Sequence, residues 1–552
     1  MTAAVRATGL CTTLIMLLTL TACGGGDPPS STASAGATSG SSGGSTGATA
    51  DVLTYHYDNQ RSGQNSHESV LTPDNVTAAT FGLIRTLPAD DPVDAAPLIA
   101  SNVVVAGGTH NVVFVATEND SVYAYDADNG TLLQHVSLLG SGETASSPPY
   151  NCGQVQPKIG ITSTPVIDRA QGPSGTLYVV AMSEDSSGNY HQRLHALDLA
   201  TLADRIPATT ISATASGTGS DSSSGILTFE PGHYKERGAL LALNGIVYTV
   251  WASHCDVAPY SGWILAFDES SLARSATLDY VPNGSQGAIW NVAGLAADSA
   301  GALYAMAGNG TFDTTLTNTG FPVGGDFGNS VMKLTSTGTA ISVADFYAAS
   351  NTVSESNADR DLGSGSPMLL PDLTDASGTT RHLLIGAGKD GNVLLLDRDD
   401  LGKFNASADT IYQRLVGALS GGLFSAFAYY NGNVYVADVG GTLKAFSLTQ
   451  AQLSASPTSQ SSATFPYPGS SPSISANGTT NAILWALTSA PDSAAVLHAY
   501  NPANLAQEYY DSTQAAGGRD GFGNGEKYVT PVVANGKVFV GTPNGVAVFG
   551  LL

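Results

Sequence analysis

Val122–Gly130 reads VYAYDADNG. Large and small apolar residues alternate as far as Tyr125, and then Asp126, Asp128, Asn129 and Gly130 break the pattern. Alternation with period two is the mark of a strand, and an Asp/Asn/Gly cluster marks the turn that ends it. The phrase returns in altered form as RLHALDLAT at 193–201, WILAFDESS at 263–271, NVLLLDRDD at 392–400 and VLHAYNPAN at 496–504. Each copy follows another apolar run, such as VVFVATEND at 112–120, LYVVAM at 177–182 or VYTVWASHC at 247–255. Ahead of these stand short stretches rich in small residues, among them AAPLIA at 95–100, STPVID at 163–168 and VTPVVANG at 529–536.

Eight such units run to the C-terminus, at a mean spacing of about 60 residues between Pro97 and Pro531. One unit is a small antiparallel sheet that cannot bury both faces alone; repetition around an axis solves this, which predicts an all-β, eight-bladed β-propeller of four-stranded antiparallel blades. Asn244-Gly245, Asn431-Gly432 and Asn535-Gly536 are two-residue hairpin signals. The last unit stops at VAVFGLL, one strand short, whereas TFGLIRTLPA (80–89) belongs to no unit. The expectation is that this N-terminal strand fills the last blade, closing the ring without an open edge.

Composition agrees. The 552 residues are 12% charged and include 63 Gly and 26 Pro, and no long stretch carries a helical period. The net charge of −24 would repel a phosphate backbone, so nucleic acid is not an expected partner. The acidic surface reads as a solvated face of a monomer.

The N-terminus, MTAAVRATGLCTTLIMLLTLTAC, has Arg6 ahead of a short apolar run from Leu10 to Leu20, too short for a comfortable bilayer span and readable as a signal sequence. It closes on Leu20-Thr21-Ala22-Cys23, which resembles the bacterial lipobox and implies cleavage before Cys23 with lipid on that residue. Residues 24–50 are nearly all Gly, Ser, Thr and Ala and read as a flexible tether. The expected organisation is therefore signal peptide 1–22, lipidated Cys23 with tether 23–50, and propeller 51–552. The place is extracytoplasmic, anchored to a membrane, with Gly24 in place of Asp leaning towards the outer membrane. Two other cysteines would remain, Cys152 and Cys255; an even pair in an oxidising compartment predicts one disulfide, with two buried thiols as the alternative.

The units resemble the pyrroloquinoline quinone (PQQ) enzyme repeat of the quinoprotein alcohol dehydrogenase-like superfamily, whose members include dehydrogenases and non-enzymatic BamB-type lipoproteins. Ala124-Tyr125-Asp126 and Gly130 fit the repeat's Ala-x-Asp and Thr-Gly, but Gln134 stands where its docking tryptophan would. The opening YHYDNQRSGQNSHESVLTPDNVTAATFGLI, with ASHCD–VAPYSGW and GAGKDGNVLLLDRD, is similar to secreted and lipoprotein members of that group. The resemblance implies the propeller over residues 50–552; a reaction must be argued from a site. It would place PQQ and Ca²⁺ on the axis of an enzyme, but the chain has no Cys-Cys pair and no C-x-x-C-H haem motif, and the Glu/Asn/Asp set has no matching positions.

In a propeller the residues that lead into the inner strands meet at one mouth of the axial channel. Arg237 in HYKER, Trp290, Asp361 and Lys527 stand at such points and are the candidate ligand-binding residues, cations and an aromatic platform suited to an anionic or quinone-like ligand. The competing reading is that Arg237 pairs with Asp361 and Trp290 is core. His254-Cys255-Asp256 has no further ligand at metal spacing, and Asp126/Asp128 and Asp397/Asp399/Asp400 sit where turns need Asp, so no metal site is expected. The expected role is a binding or scaffold module for a protein, glycan or small molecule; the alternative is a quinoprotein oxidoreductase using PQQ.

Overall fold

The copies of VYAYDADNG are third strands of blades 1, 2, 3, 5 and 7 around one axis. The structure, a computed structural model, describes residues 50–552; the signal peptide, Cys23 and nearly all of the tether lie outside the described residues. Blade 1 is the sheet Leu98–Val105, Gly108–Ala116, Ser121–Asp126 and Leu132–Ser137. Blades 2 to 7 follow, with inner strands Val166–Asp168, Leu241–Leu243, Ala296–Ala297, Met368–Leu369, Ala428–Tyr430 and Ser473–Asn477. Blade 8 is Val532–Ala534, Lys537–Thr542 and Gly545–Leu551, completed by Phe81–Pro88 as its outer strand. The closing strand pairs antiparallel, Phe81 opposite Leu551 and Pro88 opposite Gly545, with Ile84 as an extra residue in a bulge.

The core is a series of layers between neighbouring sheets, and this explains the alternation. In the third strand of blade 1, Val122 and Ala124 pack towards blade 2 beside Val179 and Leu197. Tyr123 and Tyr125 of the same strand pack towards blade 8 beside Phe539 and Val546. Both faces are buried, so the strand reads as wholly apolar, large on one face and small on the other. Asp126 then serves the turn, its Oδ1 accepting the N–H groups of Asp128 and Asn129. Asn244-Gly245, Asn431-Gly432 and Asn535-Gly536 all have positive φ, as a two-residue hairpin with matching twist requires.

Residues 50–65 do something the sequence reading missed. They visit the inner strands of all eight blades. Ala50 donates to Asn535 of blade 8, Val52 bridges Ile99 of blade 1, and Leu53 accepts from Ile167 of blade 2. Asn59 donates to Ala242 of blade 3 and accepts from Ala297 of blade 4, while Gln60 accepts from Leu369 of blade 5. Ser62 accepts from Tyr429 of blade 6, Gly63 from Ile474 of blade 7, and Asn65 donates to Val533 of blade 8. The segment thus follows the ring from blade to blade, and with Tyr55, His56 and Arg61 buried inside that turn it stoppers one end of the channel. Arg61 secures it: fully buried, it donates to the carbonyls of Leu295, Leu240 and Tyr55 and to Thr54 Oγ1.

Among the described residues the only α-helix is the short Thr352–Asn357, and no helix is long and apolar enough to cross a membrane.

Candidate functional site

At the other end of the axis lies a cavity of about 230 Å³. Arg237, Trp290, Asp361 and Lys527 all line it. They converge because each precedes an inner strand, in blades 3, 4, 5 and 8. The sequence reading did not single out Lys235, Lys389, Phe424, Tyr467 and Tyr528, which line it too. Two of these were legible in principle: Lys235 belongs to the HYKER run, and Tyr528 follows Lys527.

One wall is an aromatic arc. Trp290 meets Phe424 at 5.8 Å between ring centroids, Phe424 meets Tyr467 at 5.4 Å, and Tyr467 meets Tyr528 at 6.1 Å. The two tyrosine hydroxyls hydrogen-bond each other. The Arg237 guanidinium covers Tyr528 at 3.8 Å from its centroid. Arg237 therefore does not pair with Asp361, and Trp290 is half-buried cavity wall rather than core. Asp361 has a partner of its own: Lys389 Nζ lies 2.5 Å from it and 2.7 Å from Asp359. Burial raises the Asp361 carboxyl and the Lys389 ammonium opposes this. Lys389 is raised, burial being outweighed by its two carboxylates, and its ammonium sits 5.6 Å from the Trp290 ring.

Opposite stand three cations without such neutralisation. Lys235, 2% exposed, donates to Gln154 Oε1 at 3.1 Å. Lys527 donates to the Gln154 carbonyl at 2.6 Å. Arg237 makes no ion pair among the described residues. Burial, and then the charge of Arg237, lowers both lysines, Lys235 to about 7. Behind them stand two carboxyls, Asp94 and Glu118. Both are raised by burial; Glu118, which accepts from Gly160 N and Thr162 Oγ1, is raised further by the charge of Asp94. The cavity thus has a cationic side inside an acidic protein.

Cys152 and Cys255 form the expected disulfide, with S–S 2.04 Å and Cα–Cα 5.6 Å. It ties a loop ahead of blade 2 to one in blade 3, and Gln154 and Asp256 beside it reach the cavity. His254 is buried, its Nε2 3.1 Å from the Tyr234 carbonyl oxygen, and burial lowers its pKa to about 3. Among the described residues no group of three or more His, Cys, Asp or Glu is placed to hold a metal ion.

No family model and no curated protein sequence matches the chain. Solved structures do. The quinohemoprotein alcohol dehydrogenase of Comamonas testosteroni is 15% identical, with TM-score 0.61, covering 92% of this chain and 81% of its own. The quinohemoprotein alcohol dehydrogenase ADHIIG of Pseudomonas putida HK5 is 13% identical, with TM-score 0.58 and coverage of 91% and 80%. A europium-containing methanol dehydrogenase is 11% identical, with TM-score 0.53 and coverage of 89% for both chains. The chain has the eight-bladed fold of quinoprotein dehydrogenases; at these identities the likeness is one of fold.

Proposed function

We propose that the protein is a binding module whose axial cavity takes a small, planar, anionic molecule. The observation that carries this is the convergence of Lys235, Arg237 and Lys527 on one wall of a cavity whose other wall is the arc from Trp290 to Tyr528. Cations desolvated beside aromatic faces interact with an anion far more strongly than at an exposed surface. A ring stacked on Trp290 would point its acid groups at the cations. Calorimetric titration with benzene-1,3,5-tricarboxylate and its neutral trimethyl ester tests this. The acid should bind and the ester should not, and Arg237→Gln and Lys527→Gln should each weaken binding about tenfold, the effect of one charge-assisted contact. Equal binding of acid and ester would sink the reading.

A second reading is a quinoprotein oxidoreductase, favoured by the shared fold together with Asp361 at the edge of Trp290. The residues suit PQQ, a planar tricarboxylate: Lys235, Arg237 and Lys527 would hold its acid groups and Trp290 its ring face. Bound PQQ would supply two-electron oxidation of an alcohol or sugar. Asp361, a carboxylate in the wall, would accept the substrate's hydroxyl proton. The test is dye reduction by protein supplied with PQQ, with and without Ca²⁺, against Asp361→Asn. Binding without dye reduction leaves the first reading standing alone.

The lipobox supports a lipid anchor at Cys23 that holds the domain to a membrane outside the cytoplasm, in the outer membrane of a bacterium. Cys23→Ser should move the protein from the detergent phase to the aqueous phase in a phase-partition assay; a variant that stays membrane-bound would count against this placement.

A further inference from the structure

Among the cavity's cations, Lys235 is the one that is fully buried, at 2% exposure. Its strand, Tyr234–Glu236, is pinned to the end of Ile246–Ser253, with Lys235 opposite Ala252. Lys389 spends its charge on two carboxylates, Arg237 lies on Tyr528, and Lys527 donates to a carbonyl. The Lys235 amine has one neutral partner, the Gln154 amide oxygen, and among the described residues no carboxylate within ion-pair distance. It nonetheless lines the cavity.

We infer that Lys235 is a covalent docking point: its amine condenses with the carbonyl group of an aromatic acid held in the cavity. This rests on the reading of the cavity as a site for planar anions, and it narrows that class to aldehydes and quinones carrying an acid group. The Nζ lone pair attacks the carbonyl carbon, and the C=O π pair moves to oxygen. A proton passes from nitrogen to oxygen to give a carbinolamine. The nitrogen lone pair then forms C=N while the hydroxyl, protonated by solvent, leaves as water. No oxidant or reductant is needed. Arg237 and Lys527 hold the acid group and leave the carbonyl end to Lys235.

The same neighbours favour the uncharged amine. Burial and the positive charges of Arg237 and Lys527 bring Lys235 down to about 7 against the opposing pull of Glu118 and Asp94. His254, a further titratable group that senses Lys235, is lowered to about 3 by burial and adds no charge at neutral pH. A free lysine is uncharged at only about one part in 2,500 at pH 7; Lys235 is then near half.

The experiment uses 4-formylbenzoate with sodium cyanoborohydride, which reduces the imine and not the aldehyde, followed by peptide mass mapping. The expected result is one adduct per chain, on Lys235, formed at least about tenfold faster than on lysines outside the cavity such as Lys158, which is paired with Asp91, given the larger neutral fraction. Its rate should rise through about pH 7. Terephthalate, which has no aldehyde, should bind and protect. Lys235→Arg should abolish the adduct, and mapping of the wild-type chain decides the matter even if that variant does not fold. Adducts confined to lysines outside the cavity, with terephthalate binding intact, overturn the covalent role and spare the cavity reading. Failure of both molecules to bind removes the cavity reading and the inference with it.

Discussion

At the scale of single residues, Arg61 and the buried carboxyls carry consequences that exposure alone would not suggest. Arg61 holds three carbonyls and a hydroxyl in the stopper without a carboxylate in direct contact, and burial lowers it to about 10. Arg61→Met would strand those acceptors, and its expected cost is about 3 kcal/mol or more, read from the shift in denaturant midpoint; a loss within about 0.5 kcal/mol would show that the stopper holds without it. Asp279 is pushed up to about 7 by burial, opposed by the Ser261 hydroxyl. Its unfolded value is about 4, so between those values the native state binds the extra proton and stability falls as pH rises. The melting temperature should drop between about pH 5 and pH 8, and drop less in Asp279→Asn. Identical slopes for the two proteins would mean that Glu118 and Glu236, both raised well above the usual range, dominate the effect.

At the scale of elements, the disulfide is the feature with most reach. It closes a span of 103 residues, and its loss should cost about 2–4 kcal/mol in a chain-entropy account. Gln154, two residues from Cys152, holds both Lys235 and Lys527. Cys255→Ser should therefore weaken anion binding as well as stability. Calorimetry on the folded variant separates the two; unchanged affinity would show that Gln154 keeps its place unaided. The elements were also where the sequence was most readable. Repeated strand–turn phrases identify third strands because the turn chemistry of Asp126 and its counterparts is local. The disulfide was readable because one pair is left of the four cysteines once Cys11 is read into the signal sequence and Cys23 into the lipobox. The four candidate residues were found because position before an inner strand fixes position at the mouth. Their partners were not, since whether Arg237 meets Asp361 or Tyr528 depends on contacts between blades far apart in sequence, which carry no local pattern.

At the scale of the whole molecule, residues 50–65 and Phe81–Pro88 make the ring depend on its N-terminal segment. The closing strand was legible from a count of strands: one strand short at the end, one strand spare at the start. The stopper was not, because it bonds mainly through its backbone, and its residues alternate with no period. A chain lacking residues 51–90 loses the outer strand of blade 8 and the hydrogen bonds to the inner strands together. It should aggregate, or unfold without a cooperative transition, because Gly545–Leu551 becomes an open edge. A truncated chain that melts like the intact one would mean that packing between blades suffices for closure.

Because residues 50–65 wind around the inner strands with Tyr55, His56 and Arg61 buried within, the channel is not a conduit. Nothing can pass through from one face of the disc to the other, and whatever occupies the cavity must depart by the door through which it arrived. A resident molecule blocks its own replacement, so exchange must be sequential: departure first, arrival second. The departure rate is then independent of how much newcomer is waiting outside. In a displacement experiment, raising the competitor should change the final occupancy but leave the rate of release constant.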